Sequence, residues 1–60
     1  MRKYLALYDD GHDYGEFEFY SNHRAGSKQN KEDAKCEAAS RFGSRRADQI
    51  TITDVYLEKE

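Results

Sequence analysis

Sixty residues, with ten Lys and Arg against twelve Asp and Glu, no proline and a single cysteine, leave room for one small domain at most and exclude an internal disulfide framework. Only nine residues are Leu, Ile, Val or Phe, few enough to raise disorder, but the net charge is only −2 and the apolar positions are patterned, so a folded chain is expected. No run is apolar enough for a membrane span or a signal peptide, and no Cys/His spacing fits a zinc site, which favours a cytoplasmic protein without metal or cofactor.

A core this small rarely supplies more than about 3–5 kcal/mol, so a second copy or a larger partner is expected to help hold the chain. Its charge is unevenly spread. Residues 1–20 carry two basic and five acidic groups, residues 21–46 seven basic and three acidic, and residues 47–60 one basic and four acidic. A basic middle lies between two acidic flanks.

From Arg2 to Asp9 the side chains alternate, Leu5 and Leu7 on one side and Tyr4, Ala6 and Tyr8 on the other, which is the period of a strand. Asp9 to Asp13 reads as a turn, with Asp10-Gly11 as its hairpin signal. Gly15 to Tyr20 alternates again, Phe17 and Phe19 opposite Glu16, Glu18 and Tyr20. Hydropathy predicts a hairpin whose buried face holds Leu5, Leu7, Phe17 and Phe19. Tyr4, Tyr8 and Tyr20 then fall on the other face.

A polar, basic loop from Ser21 leads into the one convincing helix. Asn30 is the predicted N-cap, with Ser27 a rival one turn earlier. Asp33 is placed to reach back in a variant of the capping box, and Glu32 and Asp33 put negative charge at the positive end of the helix dipole. Ala34, Ala38 and Phe42 recur at spacing four and line the buried face, and Gly43 ends the helix. Gly43 to Gln49 reads as a connection and Ile50 to Leu57 as the last strand, followed by a polar tail from Glu58 to Glu60. That strand contains a conflict, since Ile50 and Ile52 lie opposite Val55 and Leu57. A bulge near Asp54 would reset the alternation. Coverage of both faces is the preferred reading, because Tyr4, Tyr8, Tyr20 and Tyr56 with Ile50 and Ile52 would form an amphipathic patch on the open face. The expected fold is α+β: a single domain over residues 1–60 in the order β-β-α-β, with a three-stranded, mainly antiparallel sheet and one helix packed on one face.

Asp9, Asp10, His12 and Asp13 gather three carboxylates and an imidazole, but without the spacing of a calcium loop, and turns collect Asp and Gly for backbone reasons. The turn reading outweighs a cation site. Gly26-Ser27-Lys28 departs from a phosphate-binding loop, with Ser and Lys in the wrong order and Ser21 where the first glycine belongs. The basic side chains Arg24, Lys28 and Lys31 around a helix start, with His23 beside them, still suit an anion, either a nucleic-acid phosphate or a partner's carboxylate. Cys36 lies beyond the first helical turn and has no sequence relation to either histidine, so it reads as a small packing residue. Catalysis is not expected.

Tyrosines on an open sheet suit an interface, since each offers rigid contact area with a polar tip. Glu16 and Glu18 share that face and would repel phosphates, so a protein fits it better than RNA. The expected partner-binding residues are Tyr4, Tyr8, Tyr20, Tyr56, His23, Arg24, Lys28, Lys31, Arg45 and Arg46. The expected function is that of a small non-enzymatic protein that occludes or modulates a surface of a larger partner, such as a nucleic-acid-handling complex. A short, cysteine-poor chain opening on Met1 reads as a complete product of the kind that phages and mobile elements use as inhibitors, anti-CRISPR proteins among them. One alternative is a direct nucleic-acid-binding module using residues 23–31 with Arg45 and Arg46. Another is a homodimer joined through the tyrosine-rich sheet face.

Overall fold

A computed structural model describes residues 1–59. Strands β1 (Arg2–Asp9) and β2 (Tyr14–Ser21) are followed by helices α1 (Lys28–Phe42) and α2 (Ser44–Gln49) and by strand β3 (Thr51–Lys59). The sheet has the order β2-β1-β3 with both pairings antiparallel. The fold is α+β, with α1 lying against the sheet and α2 against α1.

The turn between β1 and β2 decides which side chains are buried. Asp9 Oδ1 accepts from the Gly11 N–H at 2.8 Å, and Asp10 Oδ1 accepts from the His12 and Asp13 N–H groups at 2.8 and 2.7 Å. These are Asx-type bonds that close the turn locally. Asp9 then pairs with Tyr14, leaving four residues between them, and the register carries Tyr4 opposite Phe19 and Ala6 opposite Phe17. Directly opposed residues share a face. Tyr4, Ala6, Phe17 and Phe19 are accordingly buried beneath the helix, while Leu5 and Leu7 lie with Glu18 and Glu16 on the other side. The expected grouping of Leu5 and Leu7 with the phenylalanines is therefore corrected. Only a loop with an odd number of residues would have produced it.

The core is mainly aromatic. Tyr4 stacks on Phe19 with ring centroids 5.5 Å apart, Phe19 meets Phe17, and Phe17 meets Tyr8 and Phe42 at 5.8 and 6.0 Å. Ala34 and Ala38 are fully buried on α1, and their small side chains let the helix lie close over these rings. The Tyr8 ring covers Gly15, its partner across the hairpin, where an added Cβ would lie 2.4 Å from ring atoms. Glycine at this position makes room for the ring.

The conflict in the last strand is resolved by a bulge. Leu7 pairs with Asp54 and Tyr8 with Ile52, so Thr53 is the extra residue, and its hydroxyl donates to the Leu7 carbonyl at 3.2 Å. The alternation resets there. Ile50, Ile52 and Val55 are all buried in one core, which corrects the reading of two covered faces. Strand β3 also runs on through Glu58 to Lys59, where a polar tail was expected.

Helix α1 begins one turn earlier than Asn30 implied. Ser27 is its N-cap and accepts from the Asn30 N–H. Gly43 ends it with φ +94° and donates its N–H to the Ala39 carbonyl. The segment expected as a plain connection forms α2, which buries Ala47. Lys35 Nζ donates to the carbonyls of Ala47 and Ile50, both at 2.7 Å, supplying a cation to the open end of this short helix. Cys36, expected to be a packing residue, is exposed.

Two measurements check this arrangement. In chemical denaturation Phe19→Ala should cost about 3–5 kcal/mol, and Tyr4→Ala should be of similar severity. Leu7→Ala, on the uncovered face, should cost about 1 kcal/mol or less. The second concerns acid. Hydrogen bonds from the backbone N–H groups of Asp13 and then His12 hold the Asp10 carboxyl below its ordinary value of 3.8. A depressed folded value stabilises the fold above the unfolded value, and that stability is lost as pH falls below 3.8 through the folded value. Asp10→Asn should therefore show a shallower loss of stability than the parent over that acid range.

Candidate functional site

Two parts of the surface stand out, and they have opposite charge. The first is the loop of residues 22–27 that joins β2 to α1. The two buried polar residues of the described chain, Ser21 and Asn30, are both spent on this loop. Asn30 Oδ1 accepts from the Gly26 N–H at 3.1 Å, and Asn30 Nδ2 donates to the His23 carbonyl at 3.1 Å. The Tyr4 hydroxyl donates to the same carbonyl at 2.8 Å. Ser21 Oγ accepts from the His23 N–H at 3.0 Å and donates to Asp33 Oδ2 at 2.7 Å. Gly26, at φ +82°, provides the left-handed residue before the cap.

Asn30 was expected as the cap and Asp33 as its back-bonding partner. Instead Asn30 occupies the position three residues after Ser27 and reaches back to Gly26, and Asp33 reaches across to Ser21. The hydrogen bonds fix the loop backbone while His23 and Arg24 remain exposed, together with Lys28 and Lys31 on the first turn of α1.

Arg45 and Arg46 are exposed too, but they lie on α2, beyond the far end of α1. The fifteen residues of α1 span roughly 22 Å. Arg46 is engaged there, 3.7 Å from Asp10 Oδ2 and with its guanidinium carbon 5.9 Å from the centre of the Phe42 ring. The expected basic residues thus form two groups at opposite ends of the helix.

The second part is the sheet face turned away from the helices. Two rows cross it, Glu18–Leu5–Tyr56 and Glu16–Leu7–Asp54, each with a leucine of the central strand in the middle. Tyr20 lies opposite Lys3 beyond one end, and Tyr14 opposite Asp9 beyond the other. Of the four tyrosines expected on this face, Tyr20 and Tyr56 are there, 59% and 51% exposed. Tyr4 and Tyr8 are not. Tyr4 is 1% exposed and Tyr8 packs against Phe17 and Phe42, because the hairpin register turns both toward the helix. Tyr14, 84% exposed, takes a place the sequence reading left empty. Counting four turn residues on from Asp9 would have found it.

Carboxylates dominate this face. Lys3 Nζ lies 3.3 Å from Glu18 Oε1. A hydrogen bond with Glu58, and next one with Lys3, hold the Glu18 carboxyl below its ordinary value. Loss of hydration, and next the hydrogen bond with Glu18, push the Glu58 carboxyl up. Tyr56 donates its hydroxyl to Asp54 Oδ2 at 2.8 Å, and its own pKa is raised by that bond. Carboxylates of β2 and β3 thus lie near one another on this face, two of them with side-chain donors of their own.

In comparisons with protein-family models, curated proteins and solved structures, the chain matches none. Among the described residues no helix is long and apolar enough to cross a membrane.

The loop network has a direct test. Asn30→Ala removes two side-chain bonds from a buried site and should cost about 1–3 kcal/mol, with faster hydrogen exchange at the Gly26 amide. Tyr4→Phe keeps the ring stack and should cost about 1 kcal/mol. Unchanged exchange in both variants would mean that the loop is held by something else.

Proposed function

We propose that this chain is a small non-enzymatic binding protein that docks on a larger protein and occludes or modulates one of its surfaces, working in the cytoplasm. The observation that carries this reading is the uncovered sheet face. Leu5 and Leu7 sit at the centre of the sheet with no helix over them, ringed by Tyr14, Tyr20, Tyr56 and carboxylates. An apolar centre with an aromatic and charged rim is the anatomy of a protein interface. A nucleic-acid-handling complex as partner, and an inhibitor of the phage-encoded, anti-CRISPR-like kind, belong to the same proposal.

Direct nucleic-acid binding draws support from the exposed Arg24, Lys28 and Lys31 on a well-braced loop and helix start. The separation of Arg45 and Arg46 from them, and the acidic sheet face, weigh against it. Homodimerisation through the sheet would bring the Glu16, Glu18 and Asp54 carboxylates of two copies together, at a cost in like-charge repulsion.

The chain alone should therefore sediment as a monomer at micromolar concentration and neutral pH. A photo-crosslinking phenylalanine analogue replacing Tyr56, in cells that carry the gene, should give one discrete adduct of one chain with one larger protein. The same analogue replacing the exposed Ser40 on α1 should not. Equal adducts from both positions, or none from Tyr56, would remove the sheet face from the interface.

A further inference from the structure

The uncovered face is more specific than a generic contact surface. Glu16 and Glu18 are two residues apart on one side of β2, hence roughly 6.8 Å along the strand. Asp54 and Tyr56 answer them on β3, across Leu7 and Leu5, so the two rows are separated by two inter-strand spacings, roughly 9.6 Å. Glu58 adds its carboxyl beside Glu18. The result is an uncharged leucine spine between two lines of oxygen acceptors.

We infer that the occupant of this face is a basic, phosphate-binding surface of a nucleic-acid-handling protein, which the rows of Glu16, Glu18, Asp54 and Glu58 engage in place of a nucleic-acid backbone while Leu5 and Leu7 add apolar contact. This rests on the sheet face being the docking surface, and charge complementarity then selects the occupant. Lys3 on this face is already bonded to Glu18, and Lys59 pairs opposite it at the same end of the sheet, while Glu16 and Asp54 lie at the other end. The remaining carboxylates therefore have their charge balanced by the partner's Lys and Arg side chains. The apolar spine distinguishes this face from a plain polyanion, since it rewards a partner whose basic rim surrounds a greasy centre.

The test uses nona-arginine as probe and the whole chain labelled for NMR. Amide shifts should concentrate at residues 5, 7, 16, 18, 54 and 56, with affinity falling about tenfold or more from roughly 50 to roughly 200 mM salt. The triple change Glu16→Gln, Glu18→Gln, Asp54→Asn should abolish the shifts. Should that variant unfold, Glu16→Gln alone should weaken binding by about threefold or more. In the crosslinking experiment, added duplex DNA should suppress the adduct from position 56. If that adduct persists in excess DNA and nona-arginine leaves the sheet face unshifted, the inference about charge is overturned while docking through the face stands. Absence of any adduct from position 56 overturns both. Shifts confined to residues 23–31 would also overturn the inference.

Discussion

The register of the first hairpin governs everything built on it. Four residues lie between Asp9 and Tyr14, and Asp9 and Asp10 bind the backbone of that turn with their own carboxylates. An even count places even-numbered residues of β1 with odd-numbered residues of β2. From that parity follow the aromatic core under α1, the exile of Leu5 and Leu7 to the uncovered face, and the alignment of Glu16 and Glu18 beside them. One inserted or deleted turn residue would exchange the two faces of one strand relative to the other.

Burying Tyr4 creates an obligation that shapes the neighbouring loop. A phenol inside a core needs a partner for its hydroxyl, and here it finds the His23 carbonyl. Asn30 donates to that same oxygen and also holds Gly26. The core residue, the loop and the start of α1 are thus joined at one carbonyl. The chain commits its few buried polar groups to fixing a short segment whose side chains face water. The sheet face, by contrast, carries its side-chain bonds at the surface, Lys3 to Glu18 and Tyr56 to Asp54.

Much of this was legible in the sequence. The three strands, the helix, its end at Gly43 and the acidic and basic segregation all follow from period, capping chemistry and charge. Hydropathy misplaced Leu5 and Leu7 because leucine is more apolar than tyrosine by any transfer scale, whereas pairing parity depends only on turn length and ignores side chains. Tyr4 and Tyr8 were assigned outward for the same reason, and Tyr14 was overlooked because it stands at the edge of the turn. The bulge at Thr53 was one of two stated solutions. A polar residue between two apolar pairs signals the irregularity, but only the partner strand shows which residue is extra. Short α2 was hidden by Arg45, Arg46 and Asp48, which leave Ala47 as its one buried side chain. Its end is closed by Lys35, a contact between distant residues that no local pattern reveals.

The Arg41 guanidinium that binds Glu37 also donates to the Glu18 carbonyl at 3.1 Å, and the extra residue at Thr53 bends β3 on the opposite flank. Both outer margins of the sheet are thereby spoiled as templates for another chain's backbone: one has an acceptor occupied, the other a broken ladder. Strand addition at these margins is disfavoured, even though the sheet has only three strands and a half-buried apolar centre. Main-chain pairing accepts almost any extended sequence, and edges of this kind withhold it, leaving side-chain chemistry as the means by which this sheet can discriminate.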